Sequence, residues 1–309
     1  RFETAPALFH CYSRCTSFYL VKCRIRYLNL PAVQNQSSPL ILCFGVSDPI
    51  GATGIQSDLA CFAALGCHGL SVTTGLLIAD TARVDDMHEI DSGWVIDQAR
   101  VLLEDMPVAA FKVGPLASGG QVAAVAGIVS DYPHIPMVLD PFLSSLPDSG
   151  LLDDDMLTAV RQILVPQAAM LLLSQVELAR MAETWREAPA TLLDDVAELT
   201  GTGCAYVLVT GTEAPRGTLA NTLFNEDGEV ARYSTAHLPG PFIGAGSTIS
   251  GALAALLASQ TEPLQAAQRA QDFATGALAK AQRFGMGKLV PNKFFACGPG
   301  GHEPNPNIE

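Results

Sequence analysis

Residues 40–58 read LILCFGVSDPIGATGIQSD, an apolar run followed by a glycine-containing turn and the beginning of a helical pattern. The run from 40 to 46 is apolar almost throughout, as expected for a β-strand that is buried on both faces. The turn contains Asp48 and the glycines Gly51 and Gly54, and glycine lets the backbone approach a ligand closely. This stretch therefore predicts the first strand–turn–helix unit of an α/β fold, and its polar residues either bind a ligand where the strand ends or form a tight turn in which Asp48 caps the helix.

The same alternation of apolar runs and helical patterns continues along the chain. Its rhythm favours right-handed crossovers and a mostly parallel central sheet with helices on its faces. Near the C-terminal third, two strand patterns flank Asp227-Gly228, a pair typical of a tight β-hairpin turn. The predicted strands are 40–46, 70–74, 109–113, 137–140, 170–173, 206–210, 221–225 and 230–234, and the predicted helices are 54–65, 94–104, 121–130, 154–164, 175–182, 192–200, 247–258 and 264–284.

Composition sets the broad class of protein. The chain has 309 residues, a formal net charge of −13, a pI near 4.8 and a mean hydropathy of +0.26. Such an acidic chain is a poor candidate for nucleic-acid binding, which depends on clustered Lys and Arg. No apolar stretch reaches the roughly 18 residues of a membrane span, so we expect a soluble, cytoplasmic protein without a membrane partner.

The two ends of the chain differ from the rest. Residues 1–38 carry five Arg or Lys side chains against one Glu and lack the strand and helix rhythm. We therefore expect a basic leader, which is either a targeting segment or an extension outside the fold. Residues 39–297 then form one domain, and 298–309 form a flexible tail. The eight cysteines show no metal-binding spacing and are interpreted as reduced structural thiols, which favours a reducing compartment.

A second candidate site lies directly before the predicted helix 247–258. Residues 244–248 read Gly-Ala-Gly-Ser-Thr, so two glycines precede hydroxyl side chains at a helix start. Backbone N–H groups at such a position can bind a phosphoryl group, because the N-terminal end of a helix is partially positive. The segment lacks the Lys-Ser/Thr pair of a Walker loop, and the alternative interpretation is an ordinary capped helix start.

Other polar residues follow predicted strands at the same edge of the sheet. Asp140 ends one strand and Glu177 follows the next, and two carboxylates in this relation can hold hydrated Mg²⁺ bridging ATP phosphates. Thr210 and Gly211 end a third strand and could contact phosphates through a hydroxyl and a backbone amide. Each of these residues could instead be a turn or cap residue.

The order of these motifs resembles the hydroxymethylpyrimidine and phosphomethylpyrimidine kinases of thiamine biosynthesis, which belong to the ribokinase-like superfamily. The resemblance covers residues 39–296 and rests on Ser-Asp-Pro at 47–49, Lys-Val-Gly at 112–114, Leu-Asp-Pro at 139–141, Glu177, Val-Thr-Gly-Thr at 209–212 and the Gly-x-Gly at 244–246. It implies a three-layer ribokinase-like α/β fold and a homodimer. It also implies phosphorylation of a small pyrimidine by ATP with Mg²⁺.

The resemblance also assigns roles to individual residues. The anion hole would be formed by Gly244, Ala245 and Gly246, with Ser247 at the position of the catalytic base. The other assignments are substrate binding by Asp48, Gly51, Ala79 and Pro115, nucleotide binding by Thr210, Gly211 and Thr248, and metal binding by Asp140 and Glu177.

Three of these positions depart from the family pattern. Ser247 stands where members usually carry Cys, and an unactivated Ser hydroxyl is a poor base near pH 7. Ala79-Asp80 replaces a Gln-Asn pair that reads the pyrimidine, and Pro115 replaces a methionine. We therefore expect a pyrimidine kinase that works best on an existing phosphate. The alternatives are a ligand-binding paralogue with little turnover and a pyridoxal-type vitamin kinase.

Overall fold

A nine-stranded sheet forms the centre of the computed structural model, which describes residues 38–141, 153–212 and 218–296. These residues belong to a compact unit that begins at Ser38. The predicted leader and tail lie outside the described residues, apart from Ser38. The strands are β1 (Leu40–Ser47), β2 (His68–Ala79), β3 (Val84–Glu89), β4 (Val108–Val113), β5 (Met137–Leu139), β6 (Met170–Ser174), β7 (Val207–Thr212), β8 (Thr218–Asn225) and β9 (Gly228–Ala236).

The strand order is β3-β2-β1-β4-β5-β6-β7-β8-β9. Strands β2, β1, β4, β5, β6 and β7 are paired in parallel, which confirms the mostly parallel sheet. The chain runs outward from β1 in both directions, so the loops after β1 and β4 diverge and leave a crevice between them. The predicted hairpin is present as β8 and β9, paired antiparallel beyond β7.

A second antiparallel hairpin was missed by the sequence analysis. Strand β2 continues past the predicted end at Thr74 as far as Ala79 and pairs with β3 at the other edge of the sheet. The turn between them is held by Asp80, whose carboxylate accepts hydrogen bonds from the backbone N–H groups of Ala82 and Arg83. The sheet therefore has antiparallel additions at both edges.

Helices cover both faces of the sheet. They are α1 (Gly54–Ala64), α2 (Ser92–Asp105), α3 (Gly119–Ser130), α4 (Asp154–Ala159), α5 (Gln175–Ala182), α6 (Leu192–Gly201), α7 (Ala245–Ala258) and α8 (Pro263–Ala279). Two predicted helices are shorter than expected. Helix α4 passes into a π-helical turn at Val160–Leu164, and α8 ends before Gln282, which leaves the helix to pair with Val290.

Alternating residues of β1 divide the core into two layers. Leu42 and Phe44 pack on the face covered by α2 and α3, whereas Ile41 and Cys43 pack on the face covered by α1, α7 and α8. All four side chains are fully buried, and each large apolar one contributes about 1.5–3 kcal/mol by leaving water. The layer beneath α1 and α7 also contains the polar groups of the candidate site.

The thiols in the described part agree with a structural role. Cys43, Cys61, Cys67 and Cys204 are free and buried, and the other four cysteines lie outside the described residues. Burial raises the pKa of each of these four thiols, which keeps them protonated. In the same part of the chain, no helix is long and apolar enough to cross a membrane.

Candidate active site

The carboxyl ends of the parallel strands bring most of the predicted site residues to one edge of the sheet. Asp48 follows β1, Pro115 lies two residues after β4, Asp140 follows β5, and Glu177 lies in the first turn of the helix after β6. Thr210 lies near the end of β7, opposite Ser174 of β6. The fold thus gathers these segments as parallel pairing requires.

The turn at residues 48–53, called the first loop here, is organised by Asp48. Its side chain is buried, and Oδ2 accepts hydrogen bonds from the backbone N–H groups of Ala52 and Thr53 and from the Thr53 hydroxyl, at 3.0, 2.8 and 2.8 Å. Oδ1 accepts from the Ile50 N–H at 3.0 Å. Gly51 has a positive φ of 68°, which glycine adopts without strain. These contacts give Asp48 a loop-organising role, and its contact with a substrate stays a prediction.

The turn at residues 244–248, called the anion turn here, is the segment predicted to form the anion hole, and that role stays a prediction. Gly244 precedes α7 in the left-handed region, with φ 84°. A Cβ at this position would lie 1.9 Å from the carbonyl oxygen of Ala52, so the backbone of Gly244 packs directly against the first loop. The Thr248 hydroxyl donates back to the Gly244 carbonyl at 2.7 Å and stays inside the helix. Among the described residues, no side-chain hydrogen bond caps the N-terminal end of α7 at Gly244.

Ser247 lies half-buried in the first turn of α7. Within the described residues its hydroxyl makes no hydrogen bond, so no carboxylate or histidine activates it. A serine hydroxyl without such a partner stays protonated near pH 7. Ser247 thus has no partner among the described residues that would increase its basicity, and its role at the base position stays a prediction.

Asp140 is connected to α7 by a hydrogen bond. The Ser250 hydroxyl donates to Asp140 Oδ2 at 2.7 Å, and it also lies 3.3 Å from the carbonyl oxygen of Ser247. Burial raises the pKa of Asp140, although the nearby Lys112 ammonium and the Ser250 hydroxyl oppose that effect. This contact places a predicted metal-binding carboxylate within one helical turn of the anion turn.

A buried ion pair lies beneath these residues. Lys112 of β4 is 1% exposed, and its Nζ is 3.2 Å from Asp58 Oδ2 of α1 and 3.8 Å from Asp140 Oδ2. Burial alone would lower the pKa of Lys112, but the two carboxylates raise it. Burial raises the pKa of Asp58 to about 6, because the attraction of Lys112 offsets only part of the desolvation. The ammonium thus sits between two carboxylates behind the site.

The residues fit a hydrated Mg²⁺ better than a metal ion held entirely by protein groups. No cluster of three or more His, Cys, Asp or Glu side chains suited to a metal occurs among residues 38–141, 153–212 and 218–296. Mg²⁺ usually retains several waters and takes only one or two carboxylates together with substrate phosphates. Asp140 accepts its hydrogen bond from Ser250 through Oδ2. Its other oxygen, Oδ1, has no protein donor in the described part of the chain and can therefore face a metal-bound water.

Glu177 also has a local role. Its Oε2 accepts a hydrogen bond from the Ser174 N–H at 2.6 Å, and the Ser174 hydroxyl accepts from the Glu177 N–H. This reciprocal arrangement is a capping box, which fixes the start of α5 at the end of β6. Glu177 is half-buried, and its role in metal binding stays a prediction.

Thr210 and Gly211 lie where β7 makes a bulge against β8. Gly211 has a φ of 74°, and its N–H donates to Asn221 Oδ1 at 3.1 Å. The Asn221 amide then donates to Gln271 of α8 at 2.8 Å. The Gly211 amide is therefore used within the protein, while the half-buried Thr210 hydroxyl remains the candidate for nucleotide contact.

The predicted substrate positions Ala79 and Pro115 lie on either side of the crevice. Ala79 ends β2 and packs near Val46, and Pro115 is buried with its carbonyl oxygen accepting from the Thr74 hydroxyl at 3.2 Å. Neither side chain offers a polar group to a pyrimidine. Asp80, which follows Ala79, is exposed and occupied in capping the β2–β3 turn. Both predicted substrate positions are therefore apolar.

Sequence analysis assigned no role to Asp58, Lys112 or Ser250. One signal was available, because Lys112 is a lone charge in an otherwise apolar strand, and lysine is almost never fully buried without a partner. Its partners come from other elements and could not be read from spacing.

The chain matches known proteins over most of its length. The family model described as phosphomethylpyrimidine kinase matches residues 48–292. Hydroxymethylpyrimidine/phosphomethylpyrimidine kinase from Escherichia coli is 29% identical over 242 residues, which cover 78% of this chain and 91% of that protein. The kinase of the same name from Mycobacterium tuberculosis is 30% identical over 281 residues, covering 88% and 99%.

Among solved structures, an ADP complex of Bacillus subtilis pyridoxal kinase superposes with a TM-score of 0.75. The superposition covers 84% of this chain and 99% of the pyridoxal kinase chain, and the two sequences are 20% identical. Likeness at this identity concerns the fold, and it supports the ribokinase-like architecture.

Proposed function

The chain belongs to the phosphomethylpyrimidine kinase family, and from this premise we propose that it transfers the γ-phosphoryl group of ATP to hydroxymethylpyrimidine or its monophosphate. The enzyme is a kinase, and its relatives are kinases of thiamine biosynthesis. In keeping with the family, we also propose that it acts as a cytoplasmic homodimer with Mg²⁺.

The Ser250–Asp140 hydrogen bond is the observation that supports this proposal most strongly. It joins the carboxylate at the end of β5 to the helix whose N-terminus carries the anion turn. Phosphoryl transfer needs a positive site for the moving phosphoryl group and a carboxylate for the metal at a short distance from each other. Both parts are present here, and the first loop packs against the anion turn on the side where an acceptor would lie.

Each part has a distinct task in the proposed reaction. The anion turn would bind the transferred group through backbone N–H groups and the Thr210 hydroxyl would contact the nucleotide phosphates, while the Thr248 hydroxyl, which donates to the Gly244 carbonyl, would support the turn. Asp140 and Glu177 would hold Mg²⁺, which neutralises phosphate charge when bound. The apolar crevice between Ala79 and Pro115 would receive the pyrimidine ring.

We expect the monophosphate to be a better phosphoryl acceptor than the alcohol. Removing a proton from a hydroxymethyl group needs a base, and Ser247 has no activating partner in the described part of the chain. A phosphate acceptor is already largely ionised near pH 7, because its second pKa is about 6. Transfer to the monophosphate therefore survives the loss of the base better.

A second candidate function is ligand binding with little turnover. The same unactivated Ser247 supports it, since loss of a general base typically lowers a rate by on the order of 10²- to 10⁴-fold. Positioning and the anion turn would persist in such a protein, so affinity for nucleotide and pyrimidine would remain.

The deciding experiment measures ATP- and Mg²⁺-dependent phosphorylation of hydroxymethylpyrimidine, its monophosphate and pyridoxal, together with calorimetric binding of each. We expect turnover of the monophosphate to exceed that of the alcohol. Binding of the pyrimidines without turnover would support the ligand-binding paralogue. Turnover of pyridoxal alone would overturn the assignment of the substrate.

The variant Ser247→Cys restores the residue that family members usually have at this position. We expect it to raise the phosphorylation rate of hydroxymethylpyrimidine at least about tenfold, because a thiol forms an anion near neutral pH far more readily than a hydroxyl. The monophosphate rate should change less. No increase for either acceptor would place the defect in substrate recognition rather than in the base.

A further inference from the structure

Lys293 is a buried lysine without an ion-pair partner in the described part of the chain. It lies beyond the end of the family match at residue 292 and is 5% exposed. Its Nζ contacts the carbonyl oxygens of Ala52 and Gly51 at 3.3 and 3.5 Å, and among the described residues no carboxylate oxygen lies within 4 Å. Buried lysines are rare and usually paired, so this arrangement calls for a role that requires the charge.

The segment that contains Lys293 connects the first loop with the anion turn. Ile243, directly before Gly244, donates a backbone hydrogen bond to Leu289 at 3.0 Å, and the Leu289 N–H donates to Pro241 at 2.9 Å. The side chains of Ala52, Ile243 and Val290 form a small apolar cluster. The C-terminal segment thus contacts both parts of the site, and Lys293 is the residue that reaches the first loop with a charge.

The carbonyl oxygen of Ala52 contacts both Lys293 and the backbone at Gly244. It receives the Lys293 ammonium on one side, and on the other it lies so close to Gly244 that an added Cβ would be 1.9 Å away. Any shift of this carbonyl group would therefore change the separation between the first loop and the anion turn. The acceptor and the transferred phosphoryl group must lie between those two parts in the proposed reaction.

We propose that Lys293 is a positioning residue for phosphoryl transfer, which fixes the Gly51 and Ala52 carbonyl groups and so sets the spacing between the first loop and the anion turn. This inference rests on the proposed kinase function. The role acts through the backbone, so the ammonium needs no contact with substrate. A hydrogen-bonded cation is suited to it because two carbonyl oxygens accept simultaneously from one ammonium.

The charge on Lys293 makes this role sensitive to pH. Burial lowers the pKa of Lys293, and the groups that act against this effect are Cys61 and Asp58 of α1 and Asp48 of the first loop. The first turn of α7 adds no ionisable side chain. As pH rises through the lowered pKa, the ammonium becomes neutral and its hold on the two carbonyl groups weakens. The decline of activity at alkaline pH should therefore begin at a lower pH than the titration of an ordinary lysine would produce.

The test compares three variants. Lys293→Met keeps the length of the side chain without the charge, Lys293→Arg keeps a charge that does not titrate, and Lys280→Met removes an exposed lysine at the end of α8 as a matched control. For each we would measure kcat and KM for ATP and for the pyrimidine monophosphate from pH 6 to 10. Hydrogen–deuterium exchange of residues 48–54 is measured in parallel without any substrate.

We expect Lys293→Met to lower kcat by on the order of 10- to 100-fold, because a small displacement of reacting groups has a large effect on rate. KM for ATP should change less than threefold, and exchange at residues 48–54 should be faster. Lys293→Arg should retain more activity than Lys293→Met and should lose the alkaline decline. Lys280→Met should match the wild type in both measurements.

Two results would overturn the inference. One is a Lys293→Met protein with kcat within twofold of wild type and unchanged exchange in the first loop. The other, which applies if Lys293→Met does not fold, is an alkaline decline in Lys293→Arg identical to that of wild type. If the wild type phosphorylates neither pyrimidine, the proposed function fails, and the exchange measurement alone decides whether Lys293 holds the loop.

Discussion

The first loop and the anion turn reach their geometry by different means. In the first loop, one side chain from the loop itself, Asp48, accepts four hydrogen bonds from groups at most five residues away. In the anion turn, Gly244 is shaped by contact with Ala52, and the helix that follows is tied to Asp140 through Ser250. Residues separated by more than 100 positions thus determine the second region, whereas the first is organised largely by its own Asp48, with Lys293 as a distant contact to its Gly51 and Ala52 carbonyl groups.

This difference indicates which kind of substitution should damage each region. A self-contained loop should lose stability when its own acceptor is removed, because buried N–H groups are left without partners. A turn shaped by distant contacts should lose activity when spacing to its neighbour changes, even if the rest of the protein remains folded. The following substitutions separate the two cases, beginning with the largest expected effect.

Gly244→Ala should have the largest effect on activity. The new Cβ would meet the Ala52 carbonyl oxygen at 1.9 Å, and φ 84° is unfavourable for alanine. We expect a loss in kcat on the order of 10²-fold and a decrease of at least about 2 kcal/mol in the free energy of unfolding. Steady-state kinetics and chemical denaturation measure the two effects.

Gly246→Ala is the matched control for folding in the same turn. A Cβ there meets no atom within 4 Å, and the backbone has no positive φ. Its free energy of unfolding should remain within about 1 kcal/mol of wild type. Equal destabilisation by both substitutions would show that contact with the first loop does not shape the anion turn.

Asp48→Ala tests the self-contained region. It leaves the buried N–H groups of Ala52 and Thr53 and the Thr53 hydroxyl without their acceptor, and we expect a loss of about 4 kcal/mol in the free energy of unfolding. Asp80→Ala is the control, because it removes a similar but exposed turn acceptor and should cost much less stability than Asp48→Ala. Similar losses in thermal or urea denaturation would contradict the importance of burial in the first loop.

Asp58→Asn tests the buried charge beneath both regions. Burial raises the pKa of Asp58 from an ordinary value of 3.8 to about 6, so the folded state binds this proton more tightly than the unfolded state. Between those two values, wild type should lose about 3 kcal/mol of stability relative to the variant as pH rises. Denaturation midpoints of both proteins from pH 4 to pH 7 measure this difference. A constant difference across that range would mean that Asp58 is not held in a desolvated site.

Ser250→Ala should have the smallest effect of the four. It removes the link between Asp140 and α7, and we expect about a tenfold loss in kcat together with a higher Mg²⁺ concentration for half-maximal rate. Ser259→Ala is the control at the opposite, C-terminal end of α7, since the Ser259 hydroxyl donates to the Ala255 carbonyl and contacts no carboxylate in the described part of the chain. Equal kinetics for the two variants would show that the Ser250–Asp140 contact does not support the site.

Much of the fold could be predicted from sequence because its signals are local. Apolar runs bounded by turns located the parallel strands, and Asp227-Gly228 located the β8–β9 hairpin. The β2–β3 hairpin was missed because 84–89 is largely polar and its pairing is at the sheet edge. The end of α8 was placed too late, since Gln282 leaves the helix only to pair with Val290.

The individual motifs of the candidate site could be predicted from the sequence, but the contacts between them could not. The motifs at Asp48, Asp140 and the anion turn were identified from residue types at strand ends and helix starts, which parallel pairing brings to one edge. Their neighbours Lys112, Ser250 and Lys293 received no role, because each acts on a residue more than 50 positions away in the chain.

Most of the succession of strands and helices along the chain, with the exception of β3, could be predicted from the sequence, as could the residues at the carboxyl edge of the sheet and the family to which they point. Those properties follow from periodicity, turn chemistry and short motifs, all of which act over a few residues. Only the tertiary structure decided that Asp48 organises its own loop, that Lys112 lies between two carboxylates and that Lys293 reaches the Ala52 carbonyl group. Burial and electrostatic pairing depend on distances through space, and chain spacing does not specify those distances.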